Sequence, residues 1–193
     1  MRTIIIDVIQ GIYPPSDDSH MLADVVSSME LEGKSFLEIG CGSGIVTITA
    51  AVGGGEVTAV DVNPRAVECT LQNAEKNGVR VRATVSDLFE NVRGEYDVIT
   101  FNPPYLPGSA DDPDYDLAWS GGADGRDVID RFLGDVSRYL RPGGHILLVQ
   151  SSLCNPEKTI ETLERSGYRV DILAQRHFFF ETIYVLKAVK PCP

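Results

Sequence analysis

Asn102, Pro103, Pro104 and Tyr105 follow one another directly after the apolar run from Tyr96 to Phe101. A residue that precedes proline is pushed toward extended backbone, and this holds for both Asn102 and Pro103, so the turn is stiff. It offers two oxygen acceptors in fixed places, the Asn102 side chain and the Pro103 main chain. Together they can take both hydrogens of a planar NH2 group, and Tyr105 can stack on that group. The nitrogen of an amide or aromatic amine is a poor nucleophile because its lone pair is delocalised. A site that uses it must hold it in line with a reactive electrophile and exclude water. A sulfonium methyl is such an electrophile, and fixed acceptors also stabilise the positive charge that builds on nitrogen as the methyl arrives.

A second group of residues suits the other reactant. Glu38-Ile39-Gly40-Cys41-Gly42-Ser43-Gly44 lies between a strand pattern and a helix pattern, where open α/β sheets place their ligand crevice. Gly40, Gly42 and Gly44 let the main chain turn sharply beside a ligand, and the following helix start offers unpaired N–H groups. Asp61 comes 21 residues after Gly40, at the end of the next strand pattern, where a carboxylate can accept both hydroxyls of a ribose. Val62 follows it. Asp87 stands after the third strand, where an adenine amino group would arrive, with Leu88 and Phe89 to cover the ring. A dinucleotide fingerprint would need glycine at position 45, which is Ile45, so a nicotinamide cofactor fits less well than a nucleoside.

The elements that must position these residues alternate between short apolar runs and helical patterns. Ile4 to Ile9 reads as a possible first strand. Met21, Leu22, Val25, Val26 and Met29 recur at helical spacing behind the capping candidates Ser16 and Asp17. Strands are expected at Ser35 to Ile39, Glu56 to Val62, Val79 to Val85, Tyr96 to Phe101 and His145 to Gln150. Helices are expected at Ile45 to Val52, from Asn63-Pro64 to Gly78, from Gly125 through Val128, Ile129, Phe132, Leu133, Val136 and Leu140, and from Asn155-Pro156 to Gly167. Arg141-Pro142-Gly143-Gly144 reads as a helix stop. Tyr168 to Ala174 and Phe178 to Leu186 have no helix between them and should form a hairpin. The expected fold is α/β and Rossmann-like: a seven-stranded, mostly parallel sheet with helices on both faces and a C-terminal antiparallel hairpin.

The 193 residues hold 17 basic and 28 acidic side chains, a formal charge of −11, and 43% are apolar. That is expected of one soluble domain over 1–193. Within it, the strand and helix of 1–34 pack over the ligand site and 35–193 form the catalytic core. The apolar runs are far shorter than the ~20 residues that span a bilayer, and no secretory pattern follows Met1, so a cytoplasmic protein off the membrane is expected. Cys41, Cys69, Cys154 and Cys192 are scattered with no histidine at ligand spacing, which gives no metal site. The acidic balance disfavours nucleic acid, whose non-specific binding depends on Lys and Arg.

These motifs resemble those of class I S-adenosylmethionine-dependent methyltransferases, and Asn102-Pro103-Pro104-Tyr105 resembles the motif of enzymes that methylate planar nitrogen. Tyr13-Pro14-Pro15-Ser16-Asp17-Asp18-Ser19 and Trp119-x-Gly121-Gly122-x-x-Gly125-Arg126 are similar to segments of the short archaeal and eukaryotic HemK-like branch. That branch methylates the glutamine amide in the Gly-Gly-Gln loop of class 1 peptide release factors. The resemblance implies S-adenosylmethionine as cofactor, contacted by Ser19, Glu38, Gly40, Asp61, Asp87, Leu88 and Asn102, with Asn102, Pro103 and Tyr105 as the catalytic residues that hold the glutamine. Asp17 departs from the glutamate usual in the branch. The separate N-terminal recognition domain of bacterial relatives is not expected before Ser35. The resemblance also implies a small zinc-binding activator as partner, and Val79 to Val85 would be the sheet edge able to accept its strand.

Two other readings stay open on the residues. Asn-Pro-Pro-Tyr also resembles the motif of adenine and guanine amino methyltransferases, and a cofactor-binding scaffold could activate another enzyme. Asp111, Asp112, Asp114 and Asp116 read as a solvated loop, His20, His145 and His177 as structural, and Phe178-Phe179-Phe180 as buried hairpin.

Overall fold

In the computed structural model of the chain, residues 3–105 and 121–192 are described. The order is α1 (Asp17–Ser27), β1 (Ser35–Ile39), α2 (Ile45–Val52), β2 (Glu56–Asp61), α3 (Pro64–Lys76), β3 (Arg82–Val85) and β4 (Tyr96–Phe101). Then come α4 (Asp127–Asp135), β5 (Leu140–Ser151), α5 (Pro156–Arg165), β6 (Arg169–His177) and β7 (Thr182–Val189). The seven strands lie in the order β3-β2-β1-β4-β5-β7-β6, with β7 antiparallel to both neighbours. β1 sits between β2 and β4, so the chain reverses its winding at the β1/β4 boundary. That is where an open sheet leaves a crevice at the carboxyl ends of its strands.

The central strands bury both faces, and successive residues enter two separate apolar clusters. Leu37, Ile99, Ile146 and Leu148 pack with Ile129 and Phe132 of α4. Phe36, Val98, Leu147 and Val149 pack with Leu22 and Val26 of α1 and with Val46 of α2. This period of two, apolar on both sides, is what a doubly covered parallel strand requires. Helix α3 begins as its residues dictate: Asn63 Oδ1 accepts from the Arg65 N–H at 2.9 Å, and Pro64 fills the first helical position.

Four expectations need correction. Ile4 to Ile9 is extended but forms no strand. It runs along α3, where the side chains of Asn73 in the helix and of Asn77, its C-cap, replace a strand ladder. The Ile5 and Asp7 N–H groups donate to Asn77 Oδ1 and Asn73 Oδ1, both at 2.9 Å, and the two amide nitrogens donate back to Ile5 O and Asp7 O, both at 2.7 Å. The 1–34 segment is therefore a strap and a helix, not a strand and a helix. β3 starts at Arg82 and not at Val79. Leu140 opens a twelve-residue β5, with Arg141 to Gly144 inside it. The glycines do not end the pairing because Gly143 N–H donates to Lys190 O and Lys190 N–H to Gly144 O, each at 3.0 Å. Phe178 to Phe180 lie at the tip of the β6–β7 hairpin and are exposed, not buried.

Candidate active site

The glycine turn leaves β1 beside the end of β2. Gly40 and Cys41 N–H groups donate to Val60 O at 2.7 and 3.1 Å, and Gly42 N–H donates to Asp61 Oδ2 at 2.9 Å. Helix α3 braces the turn from outside. Asn73 Nδ2 donates to Ser43 O at 2.9 Å, and a Cβ on Gly44 (φ +86) would stand 3.1 Å from Thr70 Cα. At Gly42 (φ +52) a Cβ would meet nothing within 4 Å, so that side of the turn faces open space.

Asp61 is half-buried. Its two oxygens accept the Asn63 and Gly42 main-chain N–H groups, each at 2.9 Å, and the Val62 main chain donates as well, which leaves part of the carboxylate's capacity for a further donor. Burial raises its pKa, and those N–H groups oppose the rise. Val62, next along, is 65% exposed, a bare apolar surface beside the carboxylate. Glu38 is buried, and desolvation pushes its carboxyl up to about 8 despite a hydrogen bond from Thr47 Oγ1, with Asp61 adding to the rise. Beyond β3, Leu88 holds a left-handed backbone (φ +46), a conformation costly for a bulky residue. Ser86 Oγ steadies it by donating to Leu88 O at 2.9 Å. The neighbouring Asp87 Oδ2 is already paired with Arg131 at 2.8 Å, so Asp87 has only part of its capacity for a ligand.

The stiff turn after β4 meets the glycine turn directly. A Cβ on Gly40 would stand 3.4 Å from the Phe101 ring and 3.9 Å from Asn102 O. Asp61, the glycine turn and Asn102 thus form one continuous line at the carboxyl ends of β2, β1 and β4. Behind the turn, a Cβ on Gly121 would stand 2.7 Å from Pro104 O, and one on Gly125 would collide with Tyr105 O. Arg126, buried, pins that loop by donating to Cys154 O and Asn155 O at 2.6 and 2.8 Å. This accounts for the Gly121-Gly122-x-x-Gly125-Arg126 spacing. Trp119 and the aspartates 111, 112, 114 and 116 lie outside the described residues.

One residue of this site was not singled out from sequence. Asp18 of α1 is buried, and its Oδ2 accepts from Asn102 Nδ2 at 3.2 Å and from Tyr105 O–H at 3.0 Å. Its Oδ1 accepts from Ser19 N–H at 2.6 Å and Ser19 Oγ at 3.2 Å. Burial, then the Asp18 charge and hydrogen bond, raise the Tyr105 pKa well above the ordinary phenol range, so Tyr105 stays a donor. The Asn102 amide is held by its nitrogen, which leaves Oδ1 buried and without a hydrogen bond among the described residues. The signal in the sequence was a carboxylate on the apolar stripe of α1, in register with Met21, Leu22, Val25 and Val26.

The family model of the methyltransferase small domain matches residues 17–180. The chain belongs to that methyltransferase family. A Methanocaldococcus jannaschii protein named as a protein N5-glutamine methyltransferase is 41% identical over 181 residues, covering 92% of this chain and 91% of its own. The human methyltransferase HEMK2 is 33% identical over 192 residues, covering 93% and 90%. Among solved structures, a chain of the E. cuniculi Mtq2–Trm112 complex, described as responsible for methylation of the eRF1 translation termination factor, superposes with a TM-score of 0.75. It is 31% identical and covers 93% of this methyltransferase and 98% of that chain.

Proposed function

We infer that the protein transfers a methyl group from S-adenosylmethionine to the side-chain amide of a protein glutamine, in the Gly-Gly-Gln loop of a class 1 release factor. The observation that carries this is Asn102 Oδ1, a buried acceptor with no donor among the described residues, in the same turn as the Pro103 carbonyl. Leaving such an acceptor unsatisfied costs about 1–3 kcal/mol, which an incoming N–H recovers. The names of the similar proteins support the same substrate.

The described residues fit the cofactor. The open face at Gly42, the remaining acceptor capacity of Asp61, the bare Val62 and the left-handed turn at Leu88 follow one another along the strand ends, as contacts to a nucleoside would require. Asp61 would hold the ribose, Val62 and Leu88 the adenine faces, and Asp87 its amino group with the oxygen Arg131 leaves. Ser19, Glu38, Gly40, Gly42 and Gly44 would line the methionine end. When bound, the cofactor supplies an electrophilic sulfonium methyl.

The chain's own residues then act on the amide. Asn102 Oδ1 and the Pro103 carbonyl accept its two hydrogens and fix the nitrogen's direction. The same oxygens stabilise the charge that develops on nitrogen, and the proton leaves to solvent afterwards. Tyr105, held by Asp18, covers the amide plane and excludes water.

Residues 1–193 act as one methyltransferase unit in this account, with strap and α1 closing the site above the core. Among the described residues no helix is long and apolar enough to cross a membrane. The exposed edge β3 is the place for a small zinc-binding activator strand, since β3 is a terminal strand of the sheet. The test is incubation with radiolabelled S-adenosylmethionine and, separately, a class 1 release factor, tRNA, rRNA and DNA. Label is expected in the release factor, on glutamine; label in nucleic acid alone would refute the substrate.

A further inference from the structure

The β6–β7 hairpin carries two nearly bare phenyl rings at its tip. Phe179 is 93% exposed and Phe180 83%, and their rings meet edge to face with centroids 4.6 Å apart. Burying such a ring on a partner is favourable because it removes apolar surface from water, while in the free chain neither ring adds to the core.

The tip lies at the end of the sheet that carries the candidate active site. β6 is parallel to β5 because each is antiparallel to β7, so β6 ends on the same side of the sheet as β1, β4 and β5. The hairpin's base is tied to the neighbouring elements. Glu181 accepts from Ser151 Oγ at the end of β5, and Thr182 N–H donates to Ser152 Oγ at 3.0 Å. Arg176 pairs with Asp17, the neighbour of Asp18. The Glu181 charge is also among those that raise the Tyr105 pKa. The rings therefore project outward from a base fixed beside Asp18 and Tyr105.

Resting on the glutamine-methyltransferase assignment, we propose that Phe179 and Phe180 form the docking point for apolar side chains of the substrate protein that flank its target glutamine. Glu181, next in the chain to the rings, and a net charge of −11 favour a protein segment with basic residues next to those apolar ones; Asp17 adds little, since Arg176 already pairs with it. Bare aromatic rings can also stack nucleic-acid bases, but a phosphate backbone would meet this acidic chain at a cost.

The test compares the wild type with the double variant Phe179→Ser/Phe180→Ser, whose substitutions lie on the surface and should leave the melting temperature unchanged. The substrates are a class 1 release factor and a short peptide containing the Gly-Gly-Gln turn without apolar flanks. For the release factor, KM is expected to rise at least about tenfold, with kcat within about twofold. Cofactor affinity and turnover of the short peptide should match the wild type. An unchanged KM for the release factor would overturn the docking surface alone. Wild-type turnover of tRNA or DNA that the double variant loses would overturn the choice of a protein occupant. A wild type inactive on both release factor and peptide would overturn the substrate assignment, and the docking proposal with it.

Discussion

Asp18 decides which end of the Asn102 amide is free. A carboxylate has only acceptors, so it binds the nitrogen and leaves the oxygen free for the proposed glutamine amide. Replacing Asp18 by Asn restores the size but adds a donor that can satisfy Oδ1 itself. Asp18→Asn is expected to lower the rate of methyl transfer about a hundredfold, while cofactor affinity, read by titration calorimetry, stays near the wild-type value. Glu38 gives a separate signature. Its folded pKa of about 8 lies above its ordinary 4.5, so its contribution to stability is fully present below about 4.5 and is lost as pH rises through about 8. The melting temperature of the wild type should fall over that window relative to Glu38→Gln, in which no carboxylate titrates at this position. Parallel curves for the two proteins would show that Glu38 titrates normally.

At the scale of elements, the amphipathic and capped helices were legible because their signals are local. Asn63-Pro64 starts α3 and Asn155-Pro156 starts α5 as their residues require. The strap was not legible, because an alternating apolar segment has the same pattern whether its partner is another strand or two side chains at the end of a helix. A pair of asparagines four apart, Asn73 and Asn77, was the available clue: both are buried, where amides need partners. Asn73 also holds Ser43 O of the glycine turn, so it couples the strap to the site. Asn73→Leu leaves several main-chain groups unpaired and should lower the unfolding free energy by about 2–3 kcal/mol. It should also speed hydrogen exchange at the Ile5 and Asp7 amides, measured by NMR. Phe178 to Phe180 misled for a different reason. Apolar runs are buried on average, and nothing local marks the exception at a hairpin tip.

Across the whole molecule, the fold class was readable from alternation alone, and the strand ends then placed Glu38, Asp61, Asp87 and Asn102 in one row. What alternation could not supply was the reach of α1 over that row, since Asp18 and Asn102 are separated by 84 positions and meet only through packing. The proposed chemistry needs two turns with separate tasks, one for the methyl donor and one for the amide, and the two meet between Gly40 and Asn102. Single-turnover methyl transfer to a release factor, with cofactor binding measured on the same preparations of Asn102→Ala and Asp61→Ala, tests that division directly. Asn102→Ala is predicted to bind the cofactor as the wild type does and to transfer about 10²–10³ times more slowly. Asp61→Ala is predicted to bind it weakly and to recover most of its rate at saturation. Equal transfer rates for Asn102→Ala and the wild type, or loss of cofactor binding in both variants alike, would contradict it.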